Sequence, residues 1–199
     1  MRKHLLALGA LAVFSTTAHA AAGLFIEPGV TYERGDGELD FPAPFGGTSA
    51  DVDGFGLLGR VGFHVSDAFF LAADGRYSRP ELKNDDYKAD ATAYNYGATA
   101  GIQMPTLLGL RVWGTWVFGG ELDPEKNDNL DVKFKDASGY RLGAGLRFGI
   151  VSVNLEYQQL TYDKAELQSI GPFNPGETFD DVEGKNDSYI LSVSFPIAL

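Results

Sequence analysis

The sequence predicts an all-β protein, an eight-stranded antiparallel up-and-down transmembrane β-barrel, on three observations. Apolar residues recur at every second position in eight separate stretches. Short and long connections alternate between those stretches. The opposite row of each stretch is rich in Gly and in charges of both signs. With 25 Gly in 199 residues and few long apolar runs, a helical bundle is disfavoured. The absence of Cys excludes a disulfide scaffold, a thiolate metal site, a Cys nucleophile and a lipid-bearing Cys. A net charge of -11 argues against broad binding to nucleic-acid phosphates.

The first element, residues 1–20, reads as an export signal. Arg2 and Lys3 form a positive start, Leu5 to Phe14 are almost wholly apolar, and Ala18, His19 and Ala20 make a small-x-small cleavage site. The apolar run is about half of the roughly 20 residues that a membrane helix needs. Residues 21–199 then form the single folded domain.

The strands follow in order. Leu24, Ile26, Val30 and Tyr32 lie on one face of the first; Phe55, Leu57, Val61, Phe63 and Val65 on the second; Phe69, Leu71, Ala73 and Tyr77 on the third. Tyr94 to Ile102, Leu108 to Phe118 and Tyr140 to Phe148 repeat the pattern, as do Val151 to Tyr157 and Tyr189 to Leu199. Eight strands are enough to close a small barrel. The connections at Ser66 and Asp67, Pro105 and Thr106, and Gly149 and Ile150 are tight. Those at roughly 35–52, 79–91, 122–137 and 163–187 are long and polar, so the tight turns share one end of the barrel and the long loops the other.

A soluble ligand-carrying barrel also has eight alternating strands, and the second row decides between the two. It carries Gly29, Gly56, Gly62, Gly97, Gly101 and other glycines, no Lys, and five acids against five Arg. These are Glu27, Glu33, Asp74, Glu121 and Glu156 with Arg60, Arg76, Arg111, Arg141 and Arg147. Such a balance fits charges confined together in a lumen, where bidentate Arg–carboxylate bonds would cross the barrel. Neighbouring strands are expected to set Glu27 beside Arg60, Arg60 beside Asp74, and Arg147 beside Arg111 and Glu156. On the apolar row, Tyr32, Phe55, Tyr77, Trp116, Phe118 and Tyr189 gather near the long loops, and Phe63, Phe69, Phe148 and Phe195 near the tight turns. These are two candidate interfacial girdles facing lipid.

On these features the chain from Ala21 to Leu199 resembles the small eight-stranded outer-membrane β-barrel proteins of Gram-negative bacteria, the class that includes the transmembrane part of OmpA-like proteins. Its last strand, Ser188 to Leu199, resembles the C-terminal signal read by the barrel-assembly machinery, although it ends in Leu199 where an aromatic residue is commonest. The peptidoglycan-binding domain of OmpA-like proteins is expected to be missing. The resemblance implies a cell-envelope protein of the outer membrane, in contact with lipid and lipopolysaccharide, with no cofactor.

Three roles are weighed. The first is a structural or surface-interaction role, with a plugged polar lumen and four acidic loops meeting an extracellular partner. With Asp53 included, the first loop has five acids and no base, and the fourth has seven acids against Lys164 and Lys185. Phe41 to Phe45 and Gly171 to Gly176 add aromatic residues between prolines. The second is a porin-like narrow channel for ions or small hydrophobic molecules. Its path would be the charged lumen or a lateral seam at Pro28 and Pro196, which lack ladder donors and resemble the lipid access route of the lipid A palmitoyltransferase barrel. The third, a lipid-modifying enzyme, is disfavoured. Beyond residue 20 the one His is His64, which falls near the tight-turn end and far from the outer leaflet. Asp123, Glu125, Asn127, Asn129 and Asp131 alternate like calcium ligands, but Asp128 and Phe134 stand where an EF-hand needs Gly and Glu. N-terminal sequencing of the exported protein is expected to begin at Ala21.

Overall fold

Alternating side-chain directions give each stretch one face for lipid and one for the interior, and antiparallel pairing joins them in sequence order. The computed structural model describes residues 23–40, 47–84, 88–106, 108–126, 130–170, 176–179 and 183–199. Seven long strands lead: β1 (Leu24–Asp40), β2 (Gly47–His64), β3 (Phe69–Lys83), β4 (Lys88–Gln103), β5 (Leu108–Pro124), β6 (Leu130–Phe148) and β7 (Val151–Ile170). A short β8 (Glu177–Phe179) pairs with the far end of β7, and the eighth wall strand is β9 (Glu183–Ser194), continued by β10 (Ile197–Ala198). β9 pairs with both β7 and β1, which closes the barrel. The predicted signal segment lies outside the described residues.

The three tight turns stand where the spacing places them. At the first, Ser66 Oγ accepts from the amides of Ala68 and Phe69 at 3.3 and 3.2 Å. At the third, Gly149 takes φ 63°, a left-handed conformation that a Cβ would penalise.

The long connections are shorter than the sequence suggests. Pairing runs unbroken to Asp40 and Gly47 in the first hairpin, and β3 and β4 still pair at Lys83 and Lys88 in the second. In the first hairpin Gly35, Asp36, Gly37 and Glu38 put no apolar side chain on either face, so the period of two fades from the sequence while the backbone ladder continues. Phe41 to Phe45 and the tract from Gly171 to Pro175 lie outside the described residues.

One register shift moves a predicted lumen residue to the outside. Tyr96 pairs with Gly119 and Gly97 with Val117, leaving Phe118 as an extra residue in β5. A one-residue bulge exchanges the two faces of a strand. Beyond it, Glu121 stands opposite the outward Tyr94, with Lys133 Nζ at 3.9 Å, and has left the lumen row. Asp136 in β6, at φ 58°, marks the matching irregularity on the neighbouring strand.

Closure can be checked by cross-linking. Val30 and Val193 face each other across the β1–β9 seam. The double variant Val30→Cys with Val193→Cys is expected to form an intrachain disulfide on oxidation, read as altered migration of the unfolded chain on a non-reducing gel. Val30→Cys with Leu110→Cys is expected to form none.

Candidate functional site

The interior is filled by long side chains that reach across it. On β1, β2 and β3 the inward row carries Glu27, Arg60 and Asp74 in direct cross-strand register. Arg60 Nε donates to Asp74 Oδ2 at 2.7 Å, whereas its Nη1 stays 3.8 Å from Glu27. Further bonds come from across the lumen. Arg111 of β5 grips Glu27 with two parallel bonds of 2.8 Å, the bidentate geometry that suits a guanidinium and a carboxylate. Arg141 of β6 donates to Asp74 at 2.6 Å, and Glu156 of β7 accepts from Arg76 of β3 at 2.5 Å and from Arg60 at 3.4 Å.

The linked core is thus Arg60, Arg76, Arg111 and Arg141 with Glu27, Asp74 and Glu156. All seven are buried. Glu33, also buried, is held by neutral donors, with Gln158, Asn186 and Ser188 bonding its Oε1 at 2.9, 3.0 and 2.6 Å. Arg60 Nη1 and Arg76 Nη1 have no hydrogen-bond partner among the described residues, so charge pairing is more complete than hydrogen bonding.

Arg147 does not join this core. It pairs with Ser152, four residues closer to the turn than the Gly143–Glu156 pair, and its Nε donates to the Gly149 carbonyl at 2.7 Å. The expected contact of Arg147 with Glu156 fails because strand register, not residue type, sets depth in the barrel.

Neutral polar residues on the same inward row complete the arrangement and were missed by a reading that looked for charges. Asn95 and Gln158 both accept from Arg141, the latter at 2.8 Å. Ser194 donates to Glu27 at 2.7 Å, and Asn154 bridges Ser192 and Ser194. Their signal was positional: Gln158 follows Glu156 by two residues, and Asn95 sits between Ala93 and Gly97.

Apolar groups flank the charges at both ends. Toward the tight turns, Phe25, Phe70, Ala72 and Trp113 form one buried cluster, and the guanidinium of Arg60 lies 4.8 Å from the Trp113 ring. His64 packs there in a tilted arrangement, its ring 4.9 Å from that of Phe25, and bonds Gln103 at 2.9 Å. Toward the hairpins, Val117, Phe134, Ala137, Leu160, Tyr162 and Ala165 make a second cluster on the inner side of β5, β6 and β7. The charged layer therefore lies between two apolar ones.

Outside, Phe55, Trp116, Phe118 and Tyr189 of the upper girdle and Phe63, Phe69 and Phe148 of the lower one are exposed, along with the aliphatic row between them. In a water-soluble chain such a surface would be a large aggregation liability, and in a bilayer it is the solvated face.

The predicted lateral seam is paired. Pro28 and Pro196 each lack a donor, yet the register of β1 with β9 and β10 keeps one constant offset past both. Phe195 N–H donates to the Pro28 carbonyl at 2.8 Å between them. In the acidic third hairpin, Asp123 is bonded by Lys133 at 2.9 Å, which raises the pKa of that amine. Asn127, Asp128 and Asn129 lie outside the described residues. Among those described, no cluster of His, Asp or Glu is arranged to hold a metal ion.

A closed barrel with a lipid-facing apolar wall, two aromatic girdles and a polar buried interior defines an integral protein of the bacterial outer membrane. The sequence from residue 6 to residue 195 matches the outer membrane protein beta-barrel domain, and the chain belongs to that family. Among solved structures, OprG from Pseudomonas aeruginosa is similar at 11% identity and a TM-score of 0.56, covering 89% of this chain and 97% of that one. Neisserial surface protein A, at 13% identity and a TM-score of 0.45, covers 88% of this chain and 98% of its own. Ail of Yersinia pestis, solved with the heparin analogue sucrose octasulfate, is 13% identical with a TM-score of 0.44 and covers 88% and 99%. These likenesses concern the fold. No curated protein matches the chain.

The Glu27–Arg111 pair is a direct stability test. Glu27→Ala leaves a buried guanidinium without its partner and is expected to cost about 3–5 kcal/mol, read by urea titration of the barrel in lipid vesicles. Adding Arg111→Met is expected to recover much of that loss. Arg147→Ala, which gives up a single bond at a turn, is expected to cost about 1 kcal/mol.

Proposed function

We propose that the mature chain, cleaved after Ala20, is a plugged outer-membrane barrel with a structural and surface-interaction role, and that it neither conducts nor catalyses. The observation that carries this reading is the cross-lumen network of Glu27, Asp74 and Glu156 with four arginines, flanked by the Phe25–Trp113 and Val117–Tyr162 clusters. An ion crossing this interior would have to break buried charge-assisted bonds and pass two apolar layers. Against catalysis stands the position of His64, packed on Phe25 at the tight-turn end and bonded to Gln103. A general base needs reach to its substrate, and the outer-leaflet lipids lie at the other end.

Contact then falls to the hairpins above the outer girdle. Their acidic balance favours basic surfaces or cations. During insertion, the strand from Ser188 to Leu199 is the segment offered to the barrel-assembly machinery. The alternative of a narrow channel is tested by planar-bilayer recording of the refolded mature chain beside Arg60→Ala, with heat-modifiable gel migration reporting folding. Wild-type barrels are expected to be electrically silent. Discrete conductance steps altered by the substitution would make the lumen a path and overturn the plugged reading.

A further inference from the structure

The outer wall of β1, β2 and β3 carries a feature that the lumen does not use. Just above the aromatic girdle, an open cavity of about 1050 Å³ runs from Leu57, Phe55 and Tyr77 at its lower edge up to Asp51 and Lys83. Register orders its groups: Phe55 faces Arg79, Arg34 faces Asp53, and Asp51 faces Lys83. Two of its carboxylates are already engaged, Asp53 by the Tyr32 hydroxyl and Glu81 by Lys88 Nζ at 2.7 Å. Arg34, Arg79 and Lys83 have no ion pair among the described residues, and Asp36, Asp51 and Asp90 complete the charged lining. Arg79 Nε reaches the Tyr77 hydroxyl at 3.3 Å, and Arg34 and Lys83 make no hydrogen bond among the described residues.

A second observation lies directly below. Two residues down the outward rows of β2 and β3 stand Gly59 and Gly75, paired with each other. A Cβ on Gly59 would meet nothing within 4 Å, and one on Gly75 only the Gly59 carbonyl at 3.9 Å. Pro28 flanks Gly59 on the β1 side. At Gly59 and Gly75 the wall therefore carries no side chain, below cations that have no ion pair among the described residues. The cavity's lower lining, Phe55 and Leu57, belongs to the exposed outward row that leads down to these glycines.

We propose that this wall binds a phosphorylated glycolipid of the outer leaflet, lipopolysaccharide. Arg34, Arg79 and Lys83 take its phosphates, and one acyl chain lies in the shallow strip over Gly59 and Gly75. Guanidinium groups suit this task because their planar forks match phosphate oxygens. Asp36 and Asp51, in register on β1 and β2, add the carboxylates that divalent cations share with such phosphates. The proposal deepens the surface-interaction reading and rests on it, by placing function on the outside of the barrel.

The test uses the refolded mature chain in phosphatidylcholine nanodiscs with magnesium, titrated with rough lipopolysaccharide. The triple variant R34A/R79A/K83A is expected to bind at least about tenfold more weakly than wild type, since each lost charge-assisted bond contributes. The double variant K133A/K135A, on the opposite side of the barrel, is expected to bind as wild type does. Lipopolysaccharide stripped of phosphate is expected to bind wild type as weakly as the intact lipid binds the triple variant. Gly59→Leu keeps every charge. It is expected to weaken binding of the acylated lipid while leaving the phosphorylated sugar, freed of its acyl chains, unaffected. Equal affinity of wild type and the triple variant, with both folded by heat-modifiable migration, would overturn the proposal. So would an equal loss in K133A/K135A. Conductance of the wild-type barrel would overturn the plugged-lumen reading and leave these binding results standing.

Discussion

A strand crossing hydrocarbon has no water to satisfy its amides and carbonyls, and an unmet group there costs several kcal/mol. Closure of β1 onto β9 follows from that constraint, and the rest of the molecule follows from closure. It leaves no edge, forces every second side chain inward, and sets a bore too narrow for water to fill comfortably beside eight rows of side chains. Even the two prolines obey it. They sit where the seam passes from β9 to β10, and the Phe195 amide carries the ladder across the gap they leave.

The same closure explains the chemistry of the interior. Polar residues facing inward cannot reach bulk water once apolar clusters lie at either end, so each must find a protein partner. Residues on adjacent strands make some contacts, such as Arg60 with Asp74, and other bonds join strands that are not neighbours: β5 to β1, β6 to β3 and β7 to β3. A bond of this kind ties together strands far apart in the sequence, and it forms only when the barrel is complete. The arginines thereby act as struts whose removal should be felt all round the wall.

How much of this was legible in the residues depends on which physical rule was acting. The eight strands were, because lipid on one side imposes a strict period of two on residues such as Leu24, Ile26 and Val30. The inward placement of Glu27, Arg60 and Arg141 was legible for the same reason. The β5 bulge was not. Nothing around Phe118, Gly119 and Gly120 marks which residue will go unpaired, so Glu121 read as a lumen acid although it stands outside. Depth was hidden too, since Arg147 looks like any other inward arginine until register places it at a turn. The hairpins above the girdle escaped because charged and small residues such as Asp36, Gly37 and Glu38 interrupt the apolar alternation.

Those hairpins have a geometric consequence. β7 alone has 20 residues, and at about 3.3 Å per residue and a tilt near 40° such a strand rises about 50 Å. The apolar band of an outer-membrane barrel takes up about 25 Å of that. Roughly half of β7 therefore stands clear of the lipid as paired β-structure, part of a stiff palisade with its neighbours β6 and β9. Whatever meets this cell from outside touches the crest of that palisade before it touches the membrane.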